Sequence, residues 1–81
     1  MLTPRQAQIM GLHASGMNAF AIARTEYLSV HTVRGHMADV RERLGARSLA
    51  HATALCVARE IIVQDEHGNF VVPARDEMLV A

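Results

Sequence analysis

Along most of the chain the apolar residues return at helical spacing, and only towards the C-terminus do they bunch into short runs. The clearest stripe is Val33, Met37, Val40 and Leu44, at i, i+4, i+7 and i+11, which suits a helix laid on a small core. His31, Arg34, Gly35, Ala38 and Arg41 fall on the opposite side of that helix. There a long cationic side chain stands between residues with almost none, so a close, anionic partner could lie against the face. Ser29 is a good N-cap, because its hydroxyl accepts from orphan backbone N–H groups, and Gly45 supplies the left-handed position that ends helices. Stripe and caps together predict a helix over 29–44.

Upstream, Thr3 as N-cap, Pro4 at the first helical position and Gln6 three residues after the cap predict a first helix from Pro4 to about Ala14. Ile9, Met10 and Leu12 form its apolar side. Gly11 lies inside it, at a cost of about 1 kcal/mol relative to alanine. Ser15 and Gly16 end it. Asn18 caps a second, short helix from Ala19 to Arg24, whose small residues let another helix approach closely. Thr25 to Leu28 lead straight to Ser29, and two helices joined by so few residues form a helix-turn-helix.

Ser48 caps a fourth helix running to about Glu60, and its residues Leu49, Ala52, Leu55, Cys56 and Ala58 exceed one core-facing stripe. A surplus apolar face on a small helix is commonly a subunit contact, which nominates Leu49, Leu55 and Cys56 for a dimer interface, although Leu49 and Leu55 serve equally as core residues and Cys56 also reads as a small buried hydrophobe. The period then changes. Ile61 to Gln64 and Phe70 to Val72 flank Asp65-Glu66-His67-Gly68-Asn69, a β-hairpin with a five-residue loop, and Pro73 closes the second strand. Residues 74–81 read as a tail or a short further strand. The expected fold class is mainly α: four helices over residues 1–62, and a C-terminal hairpin or tail extension over 63–81.

An 81-residue chain is one domain at most and buries only about 60 to 65% of its unfolded surface, so a second copy would stabilise it. No run approaches the ~18 apolar residues of a membrane span, and the N-terminus lacks a basic region followed by an apolar one. A soluble, cytoplasmic protein without membrane partners is expected. Cys56 is the single cysteine, which excludes an intramolecular disulfide. Of the five histidines, only His31 and His36 approach a ligand spacing, and they fall on different helix faces, so neither a metal nor another cofactor is expected. No nucleophile, base and orienting group can be assembled, which argues against an enzyme.

Zero net charge conceals an asymmetry. Residues 1–59 hold seven arginines against Glu26, Asp39 and Glu42, a balance of +4, whereas residues 60–81 hold Arg75 against five acids, a balance of −4. All eight basic residues are arginine, which suits planar, bidentate contacts to phosphate or guanine.

Leu2-Thr3-Pro4-Arg5, Gly16-Met17-Asn18, Ile22-Ala23, Leu28-Ser29, Thr32-Val33-Arg34, His36-Met37 and Leu44-Gly45-Ala46-Arg47-Ser48 stand in an order and spacing that resembles the LuxR/GerE-type DNA-binding domain. The resemblance runs without a gap from residue 2 to about 62, and looks like such a domain standing alone. It implies that the third helix enters the DNA major groove, that the first two brace it, and that the fourth supports dimerisation. Arg34 matches a position that reaches bases or phosphates, and a guanidinium bridging guanine O6 and N7 is worth about 1 to 3 kcal/mol of discrimination. Gly35 and Ala38 match base-facing positions, where they allow close approach and contact with a thymine methyl. Thr32 and Ser48 are candidates to hydrogen-bond phosphates at helix N-termini. Arg41 and Arg47, with Arg24 and Arg43, are candidate phosphate contacts, and His31 matches a backbone-contacting basic position.

Three departures stand out. Glu26-Tyr27 replaces the family's apolar residue and glycine in the turn, Gln6 replaces an acidic residue, and His13 replaces an apolar one. The implied function is a sequence-specific, homodimeric transcriptional regulator acting on double-stranded DNA. A second reading keeps the fold as a protein-interaction module for another regulator or RNA polymerase, and a third has the acidic segment fold back over the arginine surface.

Overall fold

The computed structural model describes residues 1–73. Four helices follow one another: α1 (Pro4–Ala14), α2 (Ala19–Glu26), α3 (Val30–Leu44) and α4 (Leu49–Ala58), then β1 (Val63–Gln64) and β2 (Phe70–Val71). Each helix starts on the cap read from the sequence. The hydroxyls of Thr3, Ser29 and Ser48 and the Asn18 amide oxygen accept from the N–H three residues on, and Gln6 completes the capping box at α1. Gly45 closes α3 in the left-handed conformation.

The core has two parts, and α1 feeds both from adjacent residues. Ile9 packs with Ile22, Ala23, Val33 and Met37 between the first three helices, while Met10 packs with Val40, Ala52, Cys56 and Ile62. Leu49 touches both groups. The α3 stripe also spans them, with Val33 and Met37 in one and Val40 in the other.

Several boundaries differ from expectation. Helix α2 extends two residues further, to Glu26, because Tyr27 takes the left-handed position itself, at φ 56° and ψ 42°. A β-carbon in that region costs about 1 kcal/mol or more, but the ring escapes steric conflict by pointing outward, with Tyr27 95% exposed. Helix α4 ends at Ala58 rather than Glu60. Glu60 turns left-handed at φ 57°, and the Ile61 N–H returns to the Cys56 carbonyl at 2.9 Å. That reversal drives Ile62 into the core, so Ile61 and Ile62 form the turn instead of the first strand.

The hairpin is antiparallel, with Val63 opposite Val71 and Gln64 opposite Phe70, and its loop spans Asp65 to Asn69 as read. The Asp65 carboxylate accepts from the His67 and Asn69 N–H groups at 2.8 and 3.0 Å. The hairpin lies on α1 at Gly11, where a Cβ would stand 2.9 Å from the Phe70 carbonyl oxygen. Ser15 fastens the contact: its hydroxyl accepts from the Phe70 N–H at 2.7 Å and donates to the Gly11 carbonyl at 2.8 Å. The expected tail over 74–81 lies outside the described residues.

Of the two readings of Cys56, the structure supports the small buried hydrophobe and not the interface residue. Cys56 is fully buried inside the single chain, where burial also pushes its thiol pKa up. Leu49 and Leu55 are half-buried, and the outward stripe of α4 is Ala50, Ala54, Val57 and Ala58.

Candidate nucleic-acid interface

Helix α3 presents its polar face to solvent. His31, Thr32, Arg34, Gly35, Ala38 and Arg41 are all exposed, while Val33, Met37 and Val40 hold the other side on the core. Packing against α1, α2 and α4 fixes the helix without using the outward residues. Gly35 has open space around it, with nothing within 4 Å of where a Cβ would stand. With Ala38 one turn later, it makes a low strip beside Arg34.

The N-terminus of α3 is polar and ordered. The Ser29 hydroxyl accepts from the Thr32 N–H at 3.0 Å and donates to the Thr32 hydroxyl at 2.9 Å, leaving the Thr32 O–H to donate outward. At α4, the Ser48 hydroxyl accepts from the His51 N–H at 3.0 Å, and the Arg47 N–H donates to His51 Nδ1 at 3.0 Å. Ser48 thus caps α4, whereas Thr32 lies in the first turn of α3 and is bonded by the Ser29 cap; each exposed hydroxyl keeps a proton for an acceptor such as phosphate.

The arginines divide by their neighbours. Arg34, Arg41, Arg24 and Arg47 have no carboxylate partner among the described residues. Arg43 is different: its Nε donates to Asp39 at 2.8 Å and its Nη1 to the Met1 carbonyl at 2.9 Å. Arg5 is likewise engaged, with Glu26 at 2.7 Å, which ties α1 to the end of α2.

Two features of the site were not found from the sequence. Gln6 is only 3% exposed, and its amide donates to Asp39 at 2.6 Å while its carbonyl oxygen accepts from the Thr3 N–H. That donor, with the Arg43 guanidinium beside it, holds the Asp39 carboxyl below its ordinary range and clips α1 to the middle of α3. The departure at Gln6 therefore fits: an amide can donate to Asp39, whereas an ionised carboxylate there could not. The second feature is Phe20, whose ring centroid lies 5.2 Å from the Arg34 guanidinium carbon. An aromatic among the small residues of α2 was visible, but its partner lies on another helix.

The family model for the bacterial regulatory proteins of the luxR family matches residues 1–56. The transcriptional activator protein BjaR1 of Bradyrhizobium diazoefficiens is 31% identical over 61 residues, 75% of this chain and 25% of that protein. A Vibrio cholerae VqmA dimer in the absence of target DNA is 32% identical and superposes with a TM-score of 0.69 over 73% of this chain and 27% of that one. The VqmA–ligand–DNA complex is 29% identical, with a TM-score of 0.71 over 93% of this chain and 30% of that one, a span too long for the four helices alone. The chain thus spans about a quarter to a third of the length of these relatives. No helix among the described residues is long and apolar enough to cross a membrane.

Proposed function

Because this chain belongs to the luxR family of bacterial regulatory proteins, we propose that it is the DNA-binding part of a transcriptional regulator that lays α3 in the major groove. The observation that carries this reading is the outward face of α3. Arg34 and Arg41 stand there without acidic partners among the described residues, and Gly35 and Ala38 let the helix approach base edges closely. Thr32, Ser48, Arg47 and Arg24 flank that face as phosphate contacts, with His31 beside them. These contacts position the helix, and Arg34 reads guanine through O6 and N7.

The working form is a homodimer on two related half-sites, joined through the open α4 stripe of Ala50, Ala54, Val57 and Ala58, with Leu55 at its edge. A dimer among the similar structures, and a DNA complex of the same protein, support this reading.

The test is selection of duplexes from a randomised library at two salt concentrations, followed by affinity measurements on the enriched site. Arg34→Ala should weaken specific binding by roughly 1 to 3 kcal/mol and relax preference at one guanine, with the fold intact. Failure to enrich any sequence, or equal loss on every duplex, would count against base reading by α3.

A further inference from the structure

Phe20 is 56% exposed on α2, alongside the small residues Ala19, Ala21, Ala23 and Thr25. An exposed phenyl ring gains nothing for a folded monomer by facing water, yet this one faces Arg34. A cation held over a ring face uses none of its N–H donors, so the guanidinium stays free to make a bidentate contact while its position is restricted. Restricting a long side chain beforehand reduces the freedom lost on binding. Phe20 stays 56% exposed with Arg34 beside it, so part of the ring remains an open apolar surface near the candidate reading face.

We infer that Phe20 and Arg34 form one reading unit, in which the ring positions the guanidinium for a guanine and itself meets the C5-methyl of an adjacent thymine. The inference rests on the proposal that α3 reads DNA, and it assigns a specificity role to α2 within it. A phenyl group recognises thymine through that methyl, since no other standard DNA base offers an apolar group in the major groove.

The experiment uses the full chain and the duplex enriched from the randomised library. A thymine should lie beside the guanine whose preference Arg34→Ala abolishes. Replacing that thymine with deoxyuridine removes only the methyl and should weaken wild type about fourfold, the effect of one buried methyl, while leaving Phe20→Ala unchanged. Phe20→Ala should lower the preference for guanine by about two- to fivefold, and Phe20→Trp should retain it. Without DNA, the Arg34 Nε–Hε resonance should show a ring-current shift that Phe20→Ala and Phe20→Leu abolish, a readout that simple loss of bulk would not reproduce. If Arg34→Ala loses guanine preference but Phe20→Ala matches wild type on both duplexes, this inference is overturned and the DNA-reading proposal stands. If no sequence is enriched, both fall.

Discussion

Gly11 and Gly35 occupy equivalent settings, each in the interior of a helix where glycine costs about 1 kcal/mol relative to alanine. Their surroundings are opposite. Gly11 lies under the hairpin, so close that a methyl group would meet the Phe70 carbonyl, and the Ser15 hydroxyl fastens the same contact. Gly35 faces open space on α3, and nothing within the folded chain requires it. One glycine is accounted for by folding. The other is left open by the fold, and in the function proposed above that opening is where DNA would come close. The inner face of the domain is thus specified by contacts already made, the outer face by room left for contacts still to come.

The largest test of this contrast is Gly11→Ala. Better helix propensity should be outweighed by overpacking against a backbone carbonyl, giving a net loss of about 1 to 3 kcal/mol in urea or thermal unfolding. Increased stability would mean that the hairpin is not held on α1 as described. Gly35→Ala should have the opposite sign, stabilising the free protein by about 0.5 to 1 kcal/mol while weakening its enriched duplex. If both stability and DNA affinity rise, the open space at Gly35 is not a reading surface.

A third test concerns the clip that fixes α3 relative to α1. The Gln6 amide, then Arg43, lowers the Asp39 pKa in the folded state, so the clip's contribution to stability is fully present above the ordinary value of 3.8. It is lost as pH falls through the lower folded value. Gln6→Glu replaces the donor with a second carboxylate, and its melting temperature should lie below wild type at pH 7, with the gap narrowing below about pH 4 as carboxylates protonate. A gap independent of pH between 3 and 7 would show that the two side chains are not coupled.

Signals local in the chain were legible because their physics is local. Thr3, Asn18, Ser29 and Ser48 each bond an N–H three residues on, Gly45 ends α3 by its own conformational freedom, and the Val33–Met37–Val40 stripe states its own buried face. The outward set on α3 followed from the same periodicity, and its proposed use came from the family resemblance. Fine boundaries were less legible, because Tyr27 and Glu60 take conformations that their side chains disfavour.

Sequence by itself therefore determined the helices, their caps, the hairpin loop and which side of α3 turns outward. Only the tertiary structure decided between core and interface for Cys56, and showed that Arg43 is held by Asp39 and Met1, that Gln6 clips α1 to α3, and that Phe20 meets Arg34. The Gly11 contact belongs with these, since its partner lies 59 residues away at Phe70. Each depends on which helix faces which, and at what distance. Periodicity gives the direction of a side chain about its own helix axis, but the neighbour that satisfies a buried amide or crowds a glycine is set by how separate elements dock.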